Sequence, residues 1–241
     1  MRDGDRSATQ KMTGMAGNNL PVQLTVSVVV YGSNLRYIGP MLASLDGDSA
    51  RLEVIDNGPA NEDRREQLAT LIKGWGGESN LLSGHGNVGY GRGHNLAISR
   101  SSGPYHLVLN PDVELASDAI AEALAFMSAH PDCGLLAPAV RDERGDLHYL
   151  CKRYPSVLDL LLRGFAPRWI RKPFRARLDR YEMRDLINDH DPVWDPPIIS
   201  GCFMLFRTDV LKAVGGFDPR YFLYFEDFDL SIRAARVARI A

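Results

Sequence analysis

The segment LTVSVVVYG, Leu24 to Gly32, constrains this chain more than any other. It is a β-branched, largely apolar run that ends in Gly-Ser-Asn. A strand with one wet face alternates polar and apolar residues, whereas a run like this one is buried on both faces, as in a parallel sheet. The first 140 residues keep that pattern, strand alternating with helix. Tyr37–Leu45 predicts a short amphipathic helix, and Arg51–Ile55 a second strand closed by the turn signal Asp56-Asn57-Gly58-Pro59. Asn61–Ile72 predicts a helix with Asn61 as its N-cap and Glu62 and Asp63 in the first turn. A short strand is expected over Asn80–Ser83, then the glycine-rich GHGNVGYGRGHN and a helix over Asn95–Ser101. A strand Tyr105–Leu109 and a helix Ser117–Ala129 complete the alternation. The expected fold class is α/β, a Rossmann-like, mainly parallel sheet with flanking helices.

Length and composition narrow the function. At 241 residues, 45% hydrophobic and 24% charged, the chain suits a globular domain and excludes a disordered or fibrous one. A net charge of −2 argues against wholesale attraction to nucleic acid. No apolar run approaches the roughly 20 residues that span a bilayer. Residues 1–22 are polar and glycine-rich, are expected to form a loose arm, and lack the apolar stretch of a secretory signal, so a cytoplasmic chain is expected. Cys133, Cys151 and Cys202 show no CxxC spacing and fit a reducing compartment without a zinc site. The six histidines show no metal spacing, and neither GxSxG nor a P-loop pattern occurs. Charge is concentrated in one place. Between Lys152 and Arg184 ten basic residues face three acidic ones, a net +7 that leaves −9 for the rest. Leu158, Leu160, Leu161, Leu162, Phe165, Trp169 and Phe174 are interleaved with those charges. The segment is either a solvated insertion covering the core or a contact for an anionic membrane.

In open parallel sheets, ligands bind beyond the carboxyl ends of the strands. Asp112, after Asn110 and Pro111, can hold a divalent cation there or simply open a turn. Asp56 can accept from a pyrimidine N–H or close an Asx-turn. Gly84, Gly86, Gly89, Gly91 and Gly93 precede a helix and can admit a diphosphate, or form a plain flexible loop. Gly84, Gly86 and Gly89 also satisfy GxGxxG, with Asp112 lying 23 residues past Gly89, which keeps a dinucleotide-dependent oxidoreductase open. Glu226, Asp227 and Asp229 follow Tyr221, Phe222, Tyr224 and Phe225. They are either helix N-terminal acids or carboxylates raised towards a useful general base by aromatic surroundings.

Taken in order, VSVVVYGSN (26–34), VIDNGP (54–59), GNVGYGRGHNLAI (86–98), LVLNPDVEL (107–115) and the block from Ser200 to Ala234 resemble family 2 glycosyltransferases of the GT-A fold, particularly bacterial rhamnosyltransferase-like members. The resemblance implies an inverting transfer of a sugar, rhamnose in that subgroup, from a dTDP- or UDP-linked donor to a glycan or polyprenyl-diphosphate-linked acceptor. It also implies a divalent metal, manganese or magnesium. Val30, Tyr31 and Gly32 would line the nucleotide, with Asp56 and Asn57 on the base and Gly89, Gly91 and Asn95 near the sugar-nucleotide. Asp112 matches the last acid of the family's DxD pattern, and Asn110 stands where the first acid would be, leaving a metal fewer charges. Asp227 matches the general base and Glu226 its partner. Residues 23–140 would then form the nucleotide-sugar half. Residues 141–241 would form the acceptor half, with the basic insertion 152–184 and the acidic block 224–229. A sugar-nucleotide-binding module without catalysis remains the other possibility.

Overall fold

The computed structural model describes residues 23–32, 35–45, 50–142, 144–188 and 190–241. The arm expected over 1–22 lies outside the described residues. The chain begins β1 (Leu24–Val30), α1 (Leu35–Ser44), β2 (Ala50–Asp56), α2 (Glu62–Lys73) and β3 (Glu78–Leu82). It continues α3 (Tyr90–Ile98), β4 (Tyr105–Leu109), α4 (Ala119–Ala129) and β5 (Cys133–Leu136). A small hairpin of β6 (Val140–Arg141) and β7 (Leu147–His148) precedes β8 (Cys151–Lys152). Three short helices follow, α5 (Val157–Gly164), α6 (Arg168–Arg171) and α7 (Arg175–Tyr181). The chain returns through β9 (Ile198–Ile199), paired antiparallel with β8, to β10 (Phe203–Arg207), α8 (Thr208–Ala213), α9 (Glu226–Ala234) and β11 (Arg239–Ile240).

Seven strands form the main sheet in the order β11-β5-β10-β4-β1-β2-β3. All seven residues of β1 are buried, and it runs parallel to β2 on one side and β4 on the other. The chain builds outward from β1 through β2 to β3, then crosses back to place β4 on β1's opposite side. That reversal puts a topological switch point between β1 and β4 and opens a crevice at their carboxyl ends. β10 is the exception to the parallel pattern. It pairs antiparallel with both β4 and β5, with Phe203 opposite Leu109, so its entrance lies beside the exit of β4.

β10 also shows why a continuous apolar run suits an inner strand. Phe203 and Leu205 pack with Val28, Leu52, Leu107 and Met127 on one face. Met204 and Phe206 pack with Phe217 and Leu230 on the other. Successive side chains point to opposite faces, so both faces need apolar residues. Ser27, the polar break in β1, is used internally. Its Oγ lies 2.8 Å from His94 Nδ1 and 2.8 Å from His106 Nε2, while Ser101 Oγ lies 2.8 Å from His106 Nδ1. Burial lowers the pKa of His106 to about 3 and lowers that of His94 as well, so this thread joining β1, α3 and β4 is uncharged.

Asn61 caps α2 as expected, its side chain accepting the Arg64 amide. The helix expected at Asn95–Ser101 starts earlier, at Tyr90, inside the glycine-rich segment. Gly89, Gly91 and Gly93 serve close packing, whereas a Cβ on Gly84 or Gly86 would meet nothing within 4 Å. A Cβ on Gly91 would lie 2.8 Å from Phe217 Cβ.

Candidate active site

The cleft at the switch point has a volume of about 300 Å³. Tyr31 follows β1 into it, Asn57 follows β2, and Asn110 and Asp112 follow β4, with Gly89 and Tyr90 at the start of α3. Phe222 and Leu223 form a further wall. Gly89 holds that wall against α3. Its φ of +90° favours glycine, and a Cβ there would lie 2.5 Å from the Phe222 carbonyl oxygen. The same oxygen accepts the Tyr90 amide at 3.1 Å, and Arg92 Nε donates to Pro219 O at 2.7 Å.

Past Phe222, Tyr224 and Phe225 both adopt left-handed backbone, with φ of +70° and +67°. Such non-glycine residues cost of order 1–3 kcal/mol each and concentrate at functional sites. Directly after them α9 begins with Glu226 and Asp227. Asp227 Oδ2 accepts the Gly201 amide at 2.8 Å and lies 3.3 Å from Ser200 Oγ, while Oδ1 accepts the Phe228 amide at 2.9 Å. Burial nevertheless raises the Asp227 pKa above the usual carboxylate range, against those hydrogen bonds. Glu226 is only 5% exposed, and its Oε2 has no hydrogen-bond partner among the described residues. Burial, with the neighbouring Asp227 charge, raises its pKa too. The acidic group is therefore divided. Asp229 pairs with Arg233 at 2.7 Å along α9 and stands apart from the other two.

Tyr90 is the residue that sequence reasoning missed. Its hydroxyl lies 2.8 Å from Asn110 Oδ1 and 3.0 Å from Gly201 O, so it bridges the β4 exit to the residue holding Asp227. Its ring meets His94 edge-on at 4.5 Å. Burial and then the Asp227 charge raise its pKa well above that of free tyrosine, which keeps the hydroxyl protonated. An aromatic residue among helix-forming glycines was the available signal.

The structure brings Tyr31, Asn57, Gly89, Asn110 and Asp112 to one cleft and leaves other expected residues behind it. Val30 is fully buried in the core. Asp56 is taken up by Arg64, whose Nε lies 2.9 Å from Oδ1, and by the Gly58 amide at 2.9 Å. Gly32 accepts from the same Arg64 guanidinium. Asn95 spends its amide on the backbone of Phe217, at 2.7 and 2.9 Å, and Gly91 packs on the Phe217 ring. Asn57 faces the cleft yet also fastens the glycine-rich segment, donating to Gly89 O at 2.9 Å, with His85 Nε2 3.0 Å from its Oδ1. The GxGxxG glycines follow β3, an edge strand, and not the first βα turn that a dinucleotide site uses.

No three His, Cys, Asp or Glu side chains gather as a metal site among the described residues. Asp112, with the Asn110 side chain nearby in the cleft, could hold a hard divalent ion that takes its remaining ligands from a diphosphate and water.

The family model "Glycosyl transferase family 2" matches residues 25–215. The chain is 32% identical over 173 residues to N-acetylglucosaminyl-diphospho-decaprenol L-rhamnosyltransferase of Mycobacterium tuberculosis, covering 65% of this chain and 53% of that protein. It is 24% identical over 216 residues to rhamnosyltransferase WbbL of Escherichia coli, covering 86% and 75%. The chain thus spans about half the length of the mycobacterial relative. Among solved structures, mannosyltransferase PcManGT from Pyrobaculum calidifontis, in complex with GDP-Man and Mn2+, superposes with a TM-score of 0.62 at 17% identity, over 90% of this chain and 53% of that one. TarS of S. aureus superposes at 0.59 and 18% identity, over 90% and 56%. The fold is therefore GT-A, as the mainly parallel sheet and switch-point cleft indicated. Since the family model runs from β1 through α8 and takes in every residue of the cleft except Phe222 and Leu223, the chain belongs to glycosyl transferase family 2.

Proposed function

We propose that this chain transfers a sugar, rhamnose by its relatives, from a dTDP- or UDP-linked donor to a glycan or polyprenyl-diphosphate-linked acceptor, with inversion at the anomeric carbon. The observation that carries the reading is the Asp227 carboxylate, held by Gly201 and joined through Tyr90 to Asn110 on the β4 exit. A half-buried carboxylate of raised pKa suits a general base near neutral pH. In the reaction the acceptor hydroxyl gives its proton to Asp227 as its oxygen attacks the anomeric carbon. The bond from that carbon to the diphosphate oxygen breaks, and the electron pair leaves with the nucleoside diphosphate. Glu226 is buried beside Asp227, and the Asp227 charge disfavours a second negative charge there. Tyr31 and Asn57 line the nucleotide, and Gly89 lets backbone approach the diphosphate. Val30, Gly32, Asp56, Gly91 and Asn95 act from outside the cleft, by fixing the strand ends and α3.

Asp112 would hold manganese or magnesium, with Asn110 beside it, and the ion would offset the charge of the departing diphosphate. PcManGT was solved with Mn2+, and TarS with UDP-GlcNAc. The mycobacterial relative is named for a decaprenyl-diphosphate-linked acceptor, and a carrier of that kind would draw this enzyme to the inner face of a membrane. No helix among the described residues is long and apolar enough to cross one.

A thermal-shift screen of dTDP-, UDP- and GDP-sugars, with and without manganese, tests the donor. A matching donor at 100 times its Kd adds about 2.7 kcal/mol, or about 5–10 °C in a chain of this size. No shift with any sugar nucleotide would overturn the reading.

A further inference from the structure

We propose that the insertion between β8 and β9 is a membrane-docking surface that seats on anionic lipid headgroups. The proposal deepens the reading of a lipid-linked acceptor and rests on that reading for its purpose alone.

The inner side of the insertion is firmly fastened. Ser156 caps α5 in a reciprocal box with Asp159. Arg177 of α7 reaches back to Asp159 Oδ1 at 2.6 Å, and Arg153 pairs with Asp185 at 2.8 Å. Lys152 and Leu162, members of the basic and apolar sets counted in the sequence, turn inward and are buried. An insertion tied down in this way has no need of further apolar side chains outside.

It nevertheless displays them. Val157 is 75% exposed, Leu161 51%, Phe165 84% and Trp169 75%. They recur every four residues. In α5 that spacing keeps Val157 and Leu161 on one helix face, and Phe165 and Trp169 carry the apolar surface onward. In the same insertion Arg163, Arg168, Arg171, Lys172, Arg175 and Arg184 line a concave surface of about 620 Å³ together with Asp179 and Glu182, which pair with Arg163, Arg175 and Arg184 and leave the surface net positive. Arg168 and Lys172 form no ion pair among the described residues. Large apolar groups flanked by a net positive surface, with Arg168 and Lys172 unpaired on it, match the two layers of an anionic bilayer surface, acyl boundary and phosphate. Pro167 and Pro173 break the segment into turns too short to span a membrane, so contact is in the interfacial plane.

The placement also serves the reaction. The insertion leaves from β8 and returns through β9, and β9 runs directly into Ser200 and Gly201, which hold Asp227. A headgroup contact on the insertion is thus linked through β9 to the segment that holds Asp227.

The test is co-sedimentation of the whole chain with phosphatidylglycerol or phosphatidylcholine vesicles, without donor or acceptor. Quenching of tryptophan fluorescence by bromine-labelled lipid is measured alongside. Binding to phosphatidylglycerol at low salt, falling steeply as salt rises, is expected. The triple variant Arg168→Ser, Lys172→Ser, Arg175→Ser should bind about 10²-fold more weakly, at about fivefold per cation. Phe165→Ser with Trp169→Ser should lose binding, and Trp169→Phe should keep binding while losing the quenching. These side chains are exposed, so the fold is not at risk, and circular dichroism verifies that. Equal indifference to both vesicles, unchanged binding by the triple variant, or quenching that survives Trp169→Phe would each overturn the proposal. So would a dimer that Phe165→Ser with Trp169→Ser converts to monomer while vesicles are ignored, since a second copy would then cover the face. Sugar transfer to a soluble acceptor is assayed separately, so loss of vesicle binding and loss of transfer are read independently.

Discussion

The Gly201 amide donates to Asp227 Oδ2 across 2.8 Å, and a Cβ on Gly201 would lie 2.9 Å from Asp227 Cβ. Glycine is thus the residue that lets the β9–β10 link approach the start of α9 closely enough to hold the carboxylate. Gly201→Ala should push the two apart. It should lower kcat by about tenfold or more while donor binding, measured by calorimetry, stays near the parent value.

Asp227 should impose an acid limb on the pH profile of kcat/KM. Its pKa is raised by burial, and the working form of a base is deprotonated, so activity should fall as pH drops through a value above the usual carboxylate range. Ser200 Oγ stabilises the charged form. Ser200→Ala should therefore move the limb to still higher pH, with KM for the donor little changed. A limb unmoved by Ser200→Ala would detach that hydroxyl from the base.

Glu226→Gln should stabilise the protein at neutral pH and impair it as an enzyme. The folded pKa lies above the unfolded one, so burying the ionised carboxylate costs stability. That cost grows as pH rises from the unfolded pKa to the folded one and stays constant above. Removing it, with Oε2 unpartnered, should add about 1 kcal/mol, or about 2–4 °C, at pH 7 and nothing at pH 3. Differential scanning calorimetry at the two pH values measures the difference.

How much of the fold and the site was legible in the residues varies with the physics involved. β1, β2 and β4 announce themselves because strands buried on both faces must be apolar throughout, and Asn61 because an N-cap is a local hydrogen bond. The antiparallel setting of β10 was not legible, since LTVSVVV and CFMLF look alike whichever way a strand runs. The start of α3 was obscured because glycine disfavours helix, while packing against Phe217 repays it. Asp56 and Asn95 resembled ligand contacts by position. Their partners, Arg64 and Phe217, are 8 and 122 residues away, and only the fold brings them together. Tyr90 was missed for the same reason, its hydroxyl meeting Gly201 across 111 residues.

Tyr90→Phe keeps the ring against His94 and deletes the bridge to Asn110 and Gly201. It should cost about 1 kcal/mol of stability and about tenfold in kcat. An unchanged kcat with lowered stability would make the bridge purely structural.

Asp112→Ala should abolish the metal dependence of donor binding, because that side chain is the carboxylate lining the cleft. Calorimetric titration of the donor, with and without manganese, should give two different affinities for the parent and one for the variant.

Whether Asp227 is the base of an inverting sugar transfer is decided by following transfer from dTDP- or UDP-sugar to a polyprenyl-diphosphate-linked N-acetylglucosamine. The parent and Asp227→Asn are compared, with the product's anomeric configuration read by NMR. A product inverted relative to the donor is expected, with turnover about 10²–10⁴-fold lower in Asp227→Asn and donor affinity retained. Retention of configuration, or an Asp227→Asn variant turning over at the parent rate, would contradict that role.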